Sequence, residues 1–496
     1  SDSIIYRLIH DLRAQSGRNA DWHDTLAYLR AHYWADRYPG ACHIVPNHGI
    51  VIMSLLHAQD DFQRAMTIVN TAGFDTDCNA GNVGCLLGIK NGLPTLDSGQ
   101  DWRAPLADQI FKPSADGGAA ITDAVRETLN LVNIARHYAQ EPPLEPKSGA
   151  RFHFELPGAV QGFQVETGSA GRLQLIPVQG HSRAGERSLA FVTADMQANA
   201  PLCASTATFI LPGEQSMPGY ELLASPTLYS GQRVRAAWQA DERVTGSLNT
   251  RLYIDYWIDE DRLARLYDRT YMLSGGQTVE ADWRIPPIDS QPIARIGLEI
   301  NSESTAEGAI YLDYLTWSGS PEVLLTRPAG GSMWRRAWVD AVDHFDTHRA
   351  ESIWISQDQG LGLLIQGTRD WRDYSAEVGL KPYLARSFGV AVRVQGLRRW
   401  YGLLLSDDGQ LSLVQCVHGA QTPLATAAYD WRVGQSYRLR LEIEGGHLRG
   451  WVDDRVQIEA DAPAVWAGGG AALLIEDGCV SSDGLAIRPM PAHHSG

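Results

Sequence analysis

No run of about 18 consecutive apolar residues occurs in the 496-residue chain, which leaves no candidate for a membrane-spanning helix. Basic residues are in deficit, 42 Lys and Arg against 58 Asp and Glu, for a net charge of −16. Such a surface repels nucleic acid and anionic membranes, so neither is expected as the main partner. Cysteine is scarce: Cys42, Cys78, Cys85, Cys203, Cys416 and Cys479 are the full set, and none form a CxxC pair. That removes the usual structural zinc signature and is too thin for a disulfide scaffold. The six read as free thiols, with a bridge such as Cys416–Cys479 left open. No leader with a charged start and apolar middle is visible. Residue 1 is Ser, and SIIYRLIHDLR over 3–13 already reads as an amphipathic helix. The chain is therefore expected to begin inside a domain, either after cleavage or as part of a longer protein.

What is present divides into three regimes, as expected of a chain too long for one core. Up to about Gln140 the apolar residues recur at helical spacing, for example Ile5, Leu8, Ile9 and Leu12, or Val125, Leu129 and Val132. Thr122-Asp123 is expected to open the last of these helices. The segment Glu141-Pro-Pro-Leu-Glu-Pro-Lys-Ser-Gly149 then cannot continue a helix and reads as an extended spacer. Beyond it the period changes to two. FHFELPG, RLQLIPVQG, SLAFVTADM, TRLYIDYWI and AIYLDYLTWSG predict one set of strands up to about 321. SIWISQD, GLGLLIQG, YSAEVGLKP, FGVAVRVQG, WYGLLLSDDG and their successors predict a second set over 322–490. The expected fold is multidomain: a partial all-α orthogonal bundle (1–140), a linker (141–150) and two all-β jelly-roll sandwiches (151–321 and 322–490). A disordered tail, PAHHSG (491–496), is expected to follow, its His pair incidental.

The stretch richest in chemistry is DDFQRAMTIVNTAGFDTDCNAGNVGCLLGIKNGLP, residues 60–94. A helix ends near Thr71, a tight turn follows, and Asp75, Thr76, Asp77 and Cys78 open the next helix. Aspartates there can cap the helix and complement its dipole. Alternatively they hold a hard divalent cation, which takes carboxylate oxygens. The new helix carries Ala80, Gly81, Gly84, Cys85 and Gly88, a small-residue face that predicts close approach of another helix or a ligand.

The run GFDTDCNAGNVGCLLG, Gly73 to Gly88, resembles the C-terminal metal motif of the ADP-ribosylglycohydrolase family, and the resemblance extends back through CHIVPNHGIVIMSLLHAQDDFQRAM. It implies an all-α bundle holding two Mg²⁺ ions that bind and orient a ribose for hydrolysis of its glycosidic bond. Carried over by position, Asp75 and Asp77 become metal ligands. Many members have a ligating Thr where this chain has Cys78, whose thiol is a poor ligand for a hard ion. The family's other metal motif, an Asp-Asp-Thr run on an earlier helix, is absent, as is its assisting acid; Asp60-Asp61-Phe62 is not that motif. The resemblance thus covers the C-terminal half of such a domain, over about 1–140. Its N-terminal half would be a partner if cleaved, and a glycan or ADP-ribosyl-type compound the substrate. A non-catalytic glycan-binding protein with a helical remnant is the alternative.

Weaker candidates complete the reading. His43, Asn47, His48 and Asn79 lie where the resemblance places the cleft, although a helix-entry turn accounts for the first three. Asp21, Trp22, His23 and Asp24 are expected to cap a helix, and Ser1 has no neighbours suited to an N-terminal nucleophile. The first sandwich resembles galactose-binding-like modules, the second concanavalin-like or laminin-G-like ones. Trp371, Trp400 and Tyr401, with Tyr374 and Trp431, are candidate platforms for sugar rings. Asp407 and Asp408 read as a hairpin turn. Compartment is not encoded, although sandwich modules lean towards secretion or the periplasm.

Overall fold

The structure is a computed structural model. It describes residues 3–490 except 215–221, 245, 289, 304–305, 347–352 and 463–465, so Ser1 and the 491–496 tail lie outside the described residues. The chain forms two compact units, residues 1–105 and 106–496. Among the described residues, no helix is long and apolar enough to cross a membrane.

The first unit is helical: α1 (Ile4–Ser16), α2 (Trp22–His32), α3 (Ile44–Ala58), α4 (Phe62–Thr71) and α5 (Thr76–Asn91). Most starts carry a side-chain cap, Ser3 on α1, Asp21 on α2, His43 on α3 and Asp61 on α4. Their inner faces bury Leu8, Leu12, Leu29, Ile50, Met53, Val69 and Val83 in one core. Gly49 lets α3 approach α2, since a Cβ there would lie 2.5 Å from Leu29 Cδ1. The small-residue face of α5 is only partly used. Gly84 has Met66 Sδ within 3.5 Å of where its Cβ would be, but Gly81 and Gly88 face open space.

Residues 106–140 differ from the all-helical expectation. A short hairpin, Gln109–Phe111 paired with Ile121–Asp123, precedes α6 (Ala124–Tyr138), which Asp123 caps. This segment belongs to the second unit. Asp108 accepts from the Val160 and Gln161 amides at 2.6 and 3.0 Å, and Asp116 pairs with Arg369 at 2.6 Å. The segment 141–150 is docked as well. The side chain of Lys147 is fully buried, its Nζ 2.6 Å from Asp313 Oδ1 and 3.2 Å from Glu155 Oε1.

Two sheets face each other in the first sandwich, a six-stranded sheet centred on Leu248–Ile258 and Ile293–Ser302 and a five-stranded one centred on Arg233–Ala240 and Ala306–Ser318. Alternation puts Trp238, Phe191, Leu252 and Ile296 into the shared core. The predicted strand at FHFELPG does not form. Phe152 makes a single bridge to Leu315, and Phe154 adopts a left-handed φ of 59° that ends any ladder. The second sandwich is one 13-stranded sheet folded on itself around Gly470–Pro489, which pairs with Ile353–Gln366, Tyr374–Leu384 and Ser387–Val394. SIWISQD and GLGLLIQG are two halves of one bulged strand. Asp407 and Asp408 sit in the turn joining Arg399–Ser406 to Gln410–Val417, closed by Gly409 at φ +80°. The two sandwiches share packing, because Tyr229 of the first inserts into the core of the second, its ring 5.0 Å from that of Trp371.

Candidate functional site

The loop before α5 has an uncommon backbone. Gly73, Phe74 and Asp75 all have positive φ (75°, 68° and 50°), costly for the last two because their Cβ atoms crowd the backbone. Neighbours hold the shape. Arg30 donates to the Ala72 carbonyl at 3.1 Å, its guanidinium lies over Trp34, and Trp34 packs on Phe74 with ring centroids 5.0 Å apart. From inside, Asn79, only 1% exposed, donates to the Phe74 carbonyl at 3.0 Å and approaches Asn47 Oδ1 at 3.4 Å. Asn47 in turn donates to the Asp75 carboxylate.

Although Asp75 is the N-cap residue of α5, its side chain makes no cap hydrogen bond. Its carboxylate instead converges with Asp77 and Cys78 so that the three donor atoms lie within 4.8 Å of one another. Cys42 also donates to Asp75 Oδ1, at 3.5 Å. The Cys42 and Cys78 thiols are held above the usual cysteine range, first by their hydrogen bonds to Asp75 and further by the nearby carboxylate charge. Two carboxylates and water suit one hard cation, whereas two closely spaced ions need more oxygen ligands than this triad supplies.

Of the other residues singled out from the sequence, Asn47 and Asn79 meet at this loop as its supports. His48 does not reach it with a hydrogen bond: its Nε2 is buried without a partner, and burial lowers its pKa. His43 caps α3. Asp21 caps α2 and contacts the His23 ring at 2.7 Å. Asp61 caps α4 while Asp60 pairs with Lys90 at 2.6 Å. Cys42, Cys78, Cys85, Cys203 and Cys416 are free thiols.

The proposed sugar platforms require correction. Trp371, Trp400 and Tyr401 are 0%, 0% and 1% exposed. The strand 399–406 and the loop before Tyr374 turn these rings inward, where Trp371 packs on Tyr374 and Tyr229, and Tyr401 stacks on Trp466 at 4.9 Å. Tyr374 is equally buried, and Trp431 lies against Phe388 at the core's edge. Aromatic faces nearer the surface were missed. Trp354 stacks on Tyr383 at 4.5 Å, and Trp451 lies beneath the guanidinium groups of Arg440 and Arg449. The signal was available in part, since Arg440 falls opposite Trp451, with Arg449 two residues along the same strand, across the tight Gly445-Gly446 turn.

Comparison with known proteins bears on the helical region first. The model of a family described as ADP-ribosylglycohydrolase matches residues 4–139. Calling this segment a C-terminal half is corrected by that match, which falls at the N-terminal end of the chain. Among solved structures, the carbohydrate-binding module CBM66 from Bacillus subtilis is 17% identical, with 30% of this chain covering 94% of that one at a TM-score of 0.28. Galectin LEC-6 from Caenorhabditis elegans is 16% identical, over 24% of this chain and 83% of that one, with a TM-score of 0.21. Chicken galectin 2 is 7% identical, over 24% and 92%, with a TM-score of 0.20. No curated protein matches.

Proposed function

We propose that the protein is a Mg²⁺-dependent hydrolase of a glycosidic bond, acting on an ADP-ribosyl or related glycosyl-linked substrate, with β-sandwich modules that engage glycan. The observation that carries this reading is the Asp75 carboxylate. A strained N-cap residue turns its side chain away from the helix it starts and towards Asp77 and Cys78. The family match over residues 4–139 supports the same class of chemistry. Asp75 and Asp77 would hold the ion, and Asn47 and Asn79 would keep the loop in shape. When bound, the ion supplies a Lewis acid that orients sugar hydroxyls. Its remaining ligands, those of a second ion and the general acid or base come from outside this loop, on another segment of the full protein or on another chain.

The second reading, a glycan-binding protein without catalysis, draws on a triad with only two carboxylates, its third member a thiol that suits a hard ion poorly. One experiment separates them. The intact protein is incubated with an ADP-ribosylated peptide in Mg²⁺ or in EDTA, and released ADP-ribose is measured. Wild type should release it only with Mg²⁺, and Asp75→Ala should fall to background while its Tm stays within about 3 °C, the loop being solvent-facing. Release that ignores EDTA, or that survives Asp75→Ala, would refute the hydrolase reading.

A further inference from the structure

Far along the chain from the acidic loop, the second unit contains a cleft of about 290 Å³ between α6, the docked segment 144–150 and the first sandwich. Its volume is at the lower end of those that take small ligands. Two guanidinium groups, of Arg126 and Arg151, reach it from opposite elements, and the imidazole of His153 forms part of the wall. A smaller void of about 10 Å³, room for one water, adjoins it and shares Arg126, Arg151 and Trp317.

Several buried polar groups here lack partners, three donors against one acceptor, Asp123 Oδ2. His153 is 2% exposed, and its Nδ1 accepts from the Glu155 amide at 3.1 Å, which leaves the proton on Nε2. That Nε2–H is buried without an acceptor. The same holds for Arg151 Nε and for Gln109 Nε2 in the smaller void. Three buried donors in one neighbourhood lack acceptors, a costly arrangement that an acceptor-rich guest relieves.

Most nearby carboxylates are already engaged, Asp123 Oδ2 and Glu145 at the cleft wall being the exceptions. Asp370 takes the Arg151 guanidinium, and Glu127 is held by Lys112 and Thr122 at 2.8 Å each. Asp123 caps α6 and approaches Arg126 only at 3.5 Å. Burial, and then the positive charge of Arg151, push Arg126 down to about 10. Arg126 and Arg151 share the cleft with Asp370 and Glu145, and the donor left over on Arg151 Nε beside the Arg126 guanidinium favours an oxyanion between them. The remaining wall is apolar, formed by Leu129, Leu144 and Pro146.

We propose that this cleft binds a small oxyanion, a carboxylate or phosphate monoester carried on a compact ring, with Arg126, Arg151 and Asn130 as its polar contacts. The site sits in a protein of net charge −16, so the selectivity is built locally against the overall field. It does not depend on the metal-loop reading, because every residue in it belongs to the second unit.

The test is calorimetric titration of the full chain in EDTA, so that a cation at the Asp75 loop plays no part, with three probes: glucuronate, glucose 6-phosphate and glucose. Saturable binding of either anion, at least tenfold tighter than glucose, is expected, and which anion binds decides between carboxylate and phosphate. Arg126→Gln should weaken that binding tenfold or more. Asn130→Trp, at an exposed position on the cleft rim, should do the same without touching the core, so misfolding of the first variant leaves the second as a test. Heats that do not saturate with either anion, glucose binding as tightly as they do, or unchanged affinity in Asn130→Trp with an unchanged Tm, would overturn the proposal.

Discussion

The acidic loop of the helical unit and the aromatic residues of the second sandwich both stand out in the sequence, and the structure treats them in opposite ways. Asp75, Asp77 and Cys78 come together at the surface, whereas Trp371, Trp400 and Tyr401 disappear into the interior. The loop is marked by an order of residues, G-F-D-T-D-C-N, that resembles a known metal motif. The aromatics were chosen for side-chain chemistry alone. On a period-two strand a large ring is first of all core material, because burying 150–250 Å² outweighs most other uses. Polar order marks a surface site better than aromatic identity does.

That contrast can be broken most forcefully at Trp371. Trp371→Ala should cost about 3–5 kcal/mol of stability by leaving a cavity between Tyr229 and Tyr374. Chemical denaturation followed by tryptophan fluorescence would read it. A loss below about 1 kcal/mol, or a selective loss of glycan binding in a fully stable variant, would return Trp371 to the surface role that its burial denies.

Next in size is a pH effect in the same unit. Burial pushes the His153 imidazole down to about 4 from its ordinary 6.5. The unfolded chain therefore takes up this proton first. The stabilisation from neutral His153 is complete above about pH 6.5, falls as the pH drops below it, and is gone near pH 4. The gap corresponds to about 3 kcal/mol. Urea midpoints for wild type and His153→Gln between pH 7 and pH 4 should converge as the solution is acidified. Parallel curves would mean that His153 is not shielded.

The smallest expected effect returns to the loop. Asn79→Ala removes the donor that ties the Phe74 carbonyl and should cost about 1–2 kcal/mol. Unlike Trp371→Ala, it should also weaken the protection from hydrogen exchange that Mg²⁺ is expected to give the loop under the proposed function. Stability lost with metal protection intact would make Asn79 an ordinary buried amide.

Much of the fold was legible because periodicity reports which face is buried. The helices up to α5 and most strands follow their apolar spacing within a few residues. What could not be read was decided by long-range partners. Gln109–Phe111 and Ile121–Asp123 are too short for a period to develop, so their hairpin was invisible. FHFELPG alternates well but meets a left-handed Phe154. In the site, the D-T-D order was readable, but the turning of Asp75 away from its helix depends on Asn47, 28 residues earlier. The Arg126–Arg151–His153 cleft had no local signature at all, since its walls come from segments that only folding brings together.

Lys147 carries a practical lesson. The proline-rich stretch around it has the look of a flexible tether, yet its ammonium is sealed beneath the first sandwich against Asp313 and Glu155. A shortened protein starting at the first sandwich residue, as composition alone would advise, would strand two acids without their counter-ion. It would also strip away α6 and the strap that walls the cleft. Anyone dissecting this molecule should cut ahead of residue 106, not after 150.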